Sequence, residues 1–186
     1  ILARVEAAHV CLAPLDDHGG WYRYHRMFAE LLRSTLTPDE NHSLHARASR
    51  WYETQGNTHQ AVHHAFAANA LDDAARLIAS SAEKLFVAGE IVTLNRWTRA
   101  LSDSVIGANL RLVVFRGLSA VLNGDALIAE ESASTAESLI QVQSSNNADW
   151  RIDRIAYMLM CAYLALSHQH YDQVIQLTTD MLSLLS

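Results

Sequence analysis

Apolar residues recur at helical spacing over most of this chain, in segments separated by short polar or glycine-containing breaks. The breaks fall at Gly56, Asn69, Gly89, Gly124 and the pair at residues 169–170. An apolar residue follows each break by five positions; these residues are Ala61, Ala74, Leu94, Ala129 and Val174. The pattern predicts a series of helices that are joined by very short turns.

The spacing of the glycine breaks indicates a structural repeat. The interval from Gly56 to Gly89 is 33 residues and that from Gly89 to Gly124 is 35, close to the period of about 34 in tetratricopeptide repeats. The next interval is longer, and the polar residues 144–147 account for the extra length. Each helical hairpin would expose an apolar face that only its neighbour can cover. Residues 37–186 are therefore predicted to form a tetratricopeptide-like array of helical hairpins, an α-solenoid that is incomplete at its C-terminus.

The first 36 residues follow a different pattern. An apolar run at residues 7–15, turn-forming residues at 16–20 and strand-like residues at 21–24 predict a β-hairpin. Apolar residues then recur at helical spacing; they are Met27, Phe28, Leu31, Leu32 and Leu36. We expect residues 1–36 to form the C-terminal part of a small winged-helix-like α+β unit.

A helix-start signal separates these two units. Thr37 is placed as an N-cap, Pro38 as the first helical residue and Glu40 as the partner that completes a capping box. This helix is predicted to run as far as Gly56, which would end it.

Composition narrows the classes of protein. Half of the 186 residues are apolar and 18% are charged, which excludes intrinsic disorder. Only seven glycines and two prolines are present, so long helices are favoured over a turn-rich β fold. The net charge of −6 argues against a generic nucleic-acid surface. Cys11 and Cys161 lie in apolar runs and are predicted to be free thiols of a reducing compartment.

The chain has no apolar run of the roughly 18 residues that a membrane span requires. It begins without Met or a signal-peptide pattern and stops within an apolar helical pattern. We therefore expect a segment of a longer cytoplasmic protein that does not contact a membrane.

Histidine pairs are the strongest candidates for metal chemistry. His59 and His63 are four residues apart and His42 and His45 are three apart, spacings that place two imidazoles on one helix face. No third ligand or general-base glutamate accompanies them, so exposed helical histidines are the preferred interpretation and no metal is expected. The sequence also lacks a glycine-rich phosphate loop and a nucleophile elbow. We expect no catalytic residue and no enzyme activity in this segment.

Aromatic and arginine side chains offer a second kind of site. The aromatic residues along the array are predicted to form the core between stacked hairpins; they are Trp51, Tyr52, Trp97, Trp150, Tyr157, Tyr163 and Tyr171. A concave helical surface that carries them together with arginines can also hold a small ligand; the candidates are Arg96, Arg99, Arg111 and Arg116. Solvated arginines are the preferred interpretation, and the ligand-binding residues stay undefined.

Four stretches carry a family resemblance. They are LAPLDD at residues 12–17, WYRYHRMFAELL at 21–32, LHARASRWYETQG at 44–56 and AVHHA at 61–65. Together they resemble the MalT-like family, large ATP-binding LuxR-type transcriptional regulators. Such regulators combine a signalling NTPase of the STAND class, a winged helix, a tetratricopeptide-like sensor array and a C-terminal DNA-binding helix-turn-helix. The resemblance implies that this segment contains the end of the winged helix and part of the sensor array.

The resemblance also implies one site residue. In STAND proteins a winged-helix histidine, within a Met-His-Asp-like motif, contacts the β-phosphate of ADP and holds the resting state closed. His25 aligns with that histidine, while Arg26 stands where the motif has Asp. An imidazole at the start of a helix is chemically suited to a phosphate. ATP or ADP is thus expected in the full-length protein, and no cofactor is expected in this segment alone.

The resemblance implies a regulatory function for this segment. An inducer or a regulatory protein on the helical array would control self-association of the full-length activator, and DNA would be bound only by a C-terminal domain outside this segment. The alternative is a tetratricopeptide-like scaffold that binds another protein and senses no small molecule. A third class, a metal-assisted hydrolase, depends on the paired histidines alone. The inducer, the target promoter and the oligomeric state are not defined by the sequence.

Overall fold

The computed structural model describes residues 12–14, 22–142 and 148–185. In chain order its elements are β1 (Leu12–Pro14), β2 (Tyr22–Tyr24), α1 (Arg26–Ser34), α2 (Pro38–Thr54), α3 (Thr58–Ala67), α4 (Leu71–Val87), α5 (Ile91–Arg99), α6 (Asp103–Gly107), α7 (Leu110–Leu122), α8 (Ala126–Val142), α9 (Ala148–Ser167) and α10 (Tyr171–Leu185). The prediction of a mainly α protein with a small N-terminal β component is confirmed.

The N-terminal strands form the hairpin that the sequence predicts. β1 and β2 pair antiparallel, with Leu12 opposite Tyr24 and Pro14 opposite Tyr22. The turn at residues 16–20 and Cys11 lie outside the described residues. α1 begins directly after β2 at Arg26.

The predicted capping box is present at the start of α2. The Glu40 backbone N–H donates to Thr37 Oγ1 at 3.3 Å, and the Thr37 backbone N–H donates to Glu40 Oε2 at 2.8 Å. Thr37 has an extended backbone and Pro38 is in the first helical turn. Leu36, which we expected on α1, lies beyond its end, because the residue before a proline disfavours helical geometry and the chain must leave α1 before Thr37. The division between residues 1–36 and 37–186 stays a prediction.

Left-handed residues occupy all five predicted breaks. Among the described residues, positive φ occurs at Gly56 (70°), Asn69 (53°), Gly89 (76°), Gly124 (76°) and Gln169 (61°). Each of these residues donates its N–H to the carbonyl three residues earlier, and the next residue donates to the carbonyl five residues earlier. These are the two hydrogen bonds of the Schellman motif, which satisfy the free carbonyls at a helix end.

The same turns also open the following helix. At Gly124, the next residue, Asp125, donates to the Ala120 carbonyl at 2.9 Å and accepts from the Ala129 N–H at 3.2 Å. The other four turns repeat this arrangement. The apolar residue five positions after each break therefore makes the first hydrogen bond of the new helix. Four of these residues are fully buried; they are Ala61, Ala74, Leu94 and Ala129.

Successive helices pack as neighbouring hairpins. α2 packs on α3, α3 on α4, α4 on α5, α7 on α8, α8 on α9 and α9 on α10, while α7 also contacts α4 and α9. α7 lies at the centre, and its residues Leu112, Val114 and Leu118 are at most 1% exposed. Gly117 allows close approach here, because a Cβ would lie 2.8 Å from Ser132 Cβ on α8. The helical-hairpin array is thus continuous from α2 to α10 in the described residues.

The segment between Gly89 and Gly124 departs from the expected pair of helices. It contains α5, the one-turn helix α6 and α7. Ser102 is extended before α6, and Asn109 caps α7 by accepting the Leu112 N–H at 3.2 Å. No left-handed glycine marks either break, so the glycine spacing did not reveal them.

The aromatic side chains are not uniformly in the core. Trp97 is 6% exposed, as expected, whereas Trp51, Tyr163 and Tyr171 are exposed. The core prediction is wrong for these three. Aliphatic and alanine side chains make most of the core contacts instead.

The left-handed turns predict opposite effects of two substitutions. Gly124→Ala should lower the free energy of unfolding by about 1–2 kcal/mol, because a Cβ is strained at positive φ. Gln169→Gly should raise it by a few tenths to about 1 kcal/mol, because the relieved strain of about 1–2 kcal/mol exceeds the cost of the added conformational freedom of glycine in the unfolded chain. Urea unfolding measures both.

Gly107→Ala is the matched control. Gly107 has no positive φ, and an added Cβ would meet nothing within 4 Å. Alanine there should be neutral or stabilising by about 0.4–1 kcal/mol. Equal losses for Gly107→Ala and Gly124→Ala would contradict the role given to the left-handed turns.

Candidate functional site

A cavity of about 680 Å³ opens between α4, α6, α7 and α9, and we call it the groove. Small side chains of α4, Ala75, Ala79 and Ser80, form one wall. Ala75 and Ala79 are four residues apart and so lie on the same helix face. No bulky side chain fills the space on this side, which leaves a volume typical of small-ligand sites.

An ion pair closes the floor of the groove. Arg111 Nε on α7 donates to Asp153 Oδ1 on α9 at 2.6 Å. Their side chains are only 17% and 12% exposed, so the expectation that Arg111 is solvated is wrong. A buried pair of this kind fixes the relative position of two helices, because removing one partner strands the other charge.

Arg76 lies at the rim of the groove. Its guanidinium makes two hydrogen bonds with the Glu53 carboxylate of α2, at 2.6 and 3.0 Å, and lies 3.6 Å from Asp73 Oδ1. The hydrogen bond from Arg76 lowers the pKa of Glu53. This bidentate pair links α2 to α4 at the edge of the site.

Two further candidate arginines are also paired. Arg116 Nη1 donates to Asp103 Oδ1 at 2.6 Å, and Arg99 Nη2 donates to Asp125 Oδ2 at 2.9 Å. Arg116 is 20% exposed, which again contradicts the expectation of a solvated side chain. The first contact joins the consecutive helices α6 and α7, and the second joins α5 to the turn between α7 and α8, so both arginines tie neighbouring parts of the array together.

The histidine pair that forms across two helices is not one of the two pairs that the sequence suggested. His45 on α2 and His64 on α3 place their Nδ1 atoms 2.8 Å apart. The His64 ring also stacks on Tyr52, with centroids 5.3 Å apart and an interplanar angle of 7°. Among the residues that the structure describes, no group of three or more His, Cys, Asp or Glu side chains is arranged to hold a metal ion.

Burial governs the protonation of the His45–His64 pair. It lowers the pKa of both rings, and repulsion between neighbouring imidazoles lowers them further. For His45 the other contributing charges are His63, His42 and Arg33. The neutral pair is therefore favoured, with one ring donating and the other accepting the hydrogen bond.

Cys161 is a free thiol, as predicted, and is partly buried. Burial raises its pKa, so the unreactive thiol form is favoured. A hydrogen bond with Tyr157 accompanies this burial. Nothing in this arrangement activates the sulfur as a nucleophile.

His25 lies at the junction between β2 and α1. It occupies the N-cap position of α1, where its carbonyl accepts the Ala29 N–H at 2.9 Å. Its side chain is exposed and makes no capping hydrogen bond. The imidazole is thus accessible at the start of a helix, and its contact with a nucleotide stays a prediction.

No helix in the described residues is both long and apolar enough to cross a membrane. The longest, α9, has 20 residues, and it carries charged side chains such as Arg151, Asp153 and Arg154.

Comparison with known proteins gives a local family match and partial relatives. Residues 1–44 match the family model described as MalT winged helix domain. The serine/threonine-protein kinase PknK of Mycobacterium tuberculosis is 31% identical over 115 residues, which cover 60% of this chain and 10% of the kinase. The HTH-type transcriptional regulator MalT of Cronobacter sakazakii is 31% identical over 122 residues, 62% of this chain and 13% of that protein.

The MalT of Vibrio parahaemolyticus is 29% identical over 106 residues, 55% of this chain and 12% of that protein. The aligned part of this chain thus spans only about a tenth of the length of the curated relatives. No solved structure matches. The resemblance to MalT-like regulators is confirmed by these matches.

The His45–His64 pair predicts a loss of stability in acid. Because folding lowers both pKa values, the unfolded chain binds protons that the folded chain does not. The contribution of the pair is fully present above the unfolded pKa of about 6.5 and is lost as pH falls below it. Urea unfolding from pH 7.5 to 5 should show a steeper decline for the wild type than for the double variant His45→Gln/His64→Gln.

His170→Gln is the control, since His170 is an exposed histidine that forms no ion pair with a described carboxylate. It should keep the wild-type dependence on pH between 5 and 7.5. The same decline in the double variant and the wild type would remove the pair as the cause.

Proposed function

From the confirmed likeness to MalT-like regulators, we propose that this chain is the winged-helix end and helical sensor segment of an ATP-dependent, LuxR-type transcriptional activator. The observation that carries the proposal is the match of residues 1–44 to the MalT winged helix domain, which overlaps the start of the helical array at α2. Relatives named as HTH-type transcriptional regulators support it. The segment has no catalytic task of its own in this proposal, although a kinase is also among the relatives.

The groove is where the inducer or a regulatory protein binds. It touches α4, α6, α7 and α9, so an occupant contacts hairpins that are separate in sequence. A ligand that binds one arrangement of these hairpins more tightly shifts the equilibrium toward it by the difference in affinity. In the full-length activator, that shift favours the open, ATP-bound form, which self-associates, while a separate C-terminal domain binds DNA.

His25 supplies the contact between the winged helix and the nucleotide in the full-length protein. Its exposed ring at the N-terminus of α1 is placed to donate to a phosphate where the helix dipole favours an anion. The adjacent Arg26 pairs with Glu30 at 3.0 Å. ADP held in this way keeps the resting state closed.

The scaffold alternative has its own supporting observation. Three large apolar side chains on α10 are exposed; they are Tyr171, Ile175 and Leu182. Exposed apolar patches of this kind are found where other proteins dock. A scaffold would bind a protein partner stoichiometrically and give no thermal shift with metabolites.

A ligand panel tests the sensor proposal. Thermal unfolding of this chain is measured with sugars, organic acids, aromatic acids and nucleotides. A ligand at about 100 times its dissociation constant should stabilise the chain by about 2.7 kcal/mol, a shift of several degrees. Ser80→Trp, which fills the groove, should abolish the shift, whereas Glu83→Trp on the same helix outside the groove should retain it.

A panel without any shift, together with recovery of one stoichiometric protein partner, would replace the sensor by the scaffold. If a ligand still raises the unfolding temperature of the Ser80→Trp variant, the inducer binds outside the groove.

His25→Ala in the full-length activator tests the nucleotide contact. Loss of the contact should weaken the closed ADP form and raise transcription in the absence of inducer. His170→Ala, an exposed histidine at the α9–α10 turn, is the matched control and should leave basal transcription unchanged. Unchanged basal transcription in a folded His25→Ala protein would contradict the assignment.

A further inference from the structure

A second cavity, of about 440 Å³, lies between α3 and α5, and we call it the α3–α5 pocket. His59, Gln60 and His63 of α3 line one side of it, while Arg96 and Trp97 of α5 line the other. The pocket brings together two features that are far apart in the sequence, the His59/His63 pair and the arginine beside Trp97. The groove does not use any of these residues.

The charge of this pocket lining comes from one cation. Arg96 lies there beside two imidazoles, and the lining contains no Asp or Glu, whereas the whole chain has a net charge of −6. In the groove, by contrast, Asp72 and Asp153 balance Arg76 and Arg111. A cavity lined by groups of one sign attracts a ligand of the other sign.

Arg96 is the available cation. Its side chain is exposed and makes no ion pair or hydrogen bond with any described residue. Arg99, on the same helix, is occupied by Asn95 Oδ1 at 3.1 Å and Asp125 Oδ2 at 2.9 Å. The Arg96 guanidinium therefore keeps its full set of donors for a carboxylate, which it can bind in a bidentate manner.

The floor of the pocket is aromatic and firmly held. Trp97 is 6% exposed, and the His59 ring packs against it with centroids 5.2 Å apart. His59 Nε2 lies 3.0 Å from Glu90 Oε2, a carboxylate outside the pocket lining, which fixes the orientation of that ring. Phe66 adds a second, partly buried aromatic ring. Flat apolar groups pack well against such a surface.

We propose that the α3–α5 pocket binds a small aromatic carboxylate, with the carboxylate on Arg96 and His63 and the ring against Phe66 and Trp97. This site is separate from the groove and does not depend on the regulatory function. Binding at this site requires both the carboxylate and the ring of the ligand, since Arg96 binds the carboxylate and the aromatic floor binds the ring.

Benzoate is the probe for this site. In two-dimensional NMR of the whole 186-residue chain, titration should give saturable shifts of the Trp97 indole N–H. Benzyl alcohol keeps the ring without the charge, while acetate and inorganic phosphate carry charge without a ring. Each of these three should bind at least tenfold more weakly than benzoate.

Matched variants locate the binding. Arg96→Gln should weaken benzoate at least tenfold, whereas Arg99→Gln should stay within about twofold of the wild type. Ala100→Trp, which fills the pocket and keeps Arg96, should also abolish binding. Circular dichroism and thermal unfolding confirm that each variant is folded.

Several outcomes would overturn the proposal. They are the absence of saturable shifts, tighter or equal binding of phosphate or benzyl alcohol, and unchanged benzoate affinity in folded Arg96→Gln. Ser80→Trp, which fills the groove, should leave benzoate binding intact. Loss of benzoate binding in that variant would assign the ligand to the groove and also refute the α3–α5 pocket, without bearing on whether the groove binds an inducer.

Discussion

The left-handed residue that follows five of the described helices is the constraint on which the rest of this structure depends. It closes one helix with two hydrogen bonds, and the following residue already accepts the first hydrogen bond of the next helix. Because such a connection is very short, it reverses the chain and sets one helix directly against its neighbour. The groove and the α3–α5 pocket both exist because these turns fix which helix faces meet.

This dependence explains how much of the fold could be predicted. A Schellman turn is local, and glycine or asparagine at its left-handed position is visible in the sequence, as at Gly56 and Asn69. Gln169 has no such preference by itself, but the polar break around it was still detectable. The end of α5 could not be predicted from the glycines, because α6 begins there after the extended residue Ser102 and no left-handed glycine marks the break. The capping box at Thr37 was found for the same reason as the turns, since all of its atoms lie within four residues.

The candidate sites were less predictable from the sequence, because their residues lie on different helices that come into contact only in the folded chain. Spacing along one helix suggested the pairs His42/His45 and His59/His63, whereas the structure pairs His45 with a residue 19 positions away. Arg111 meets a partner 42 positions away. Periodicity identifies which residues share a face, but it does not identify the opposing face, which depends on turn geometry and on side-chain sizes. Small residues on α4, not the arginines themselves, create the space of the groove.

The two cavities also differ in the interactions that a ligand must make or break in order to bind. The groove contains charges that are already paired, so binding there must compete with the ion pair between Arg111 and Asp153 or leave it intact. The α3–α5 pocket holds an arginine without a described partner, so an anion gains that interaction without breaking another. α4 lines the groove, α5 lines the pocket, and the tight turn at Gly89 joins them. Any ligand that changes the packing of α5 on α4 therefore changes both sites, and linkage requires the two affinities to change by the same factor in either order of binding.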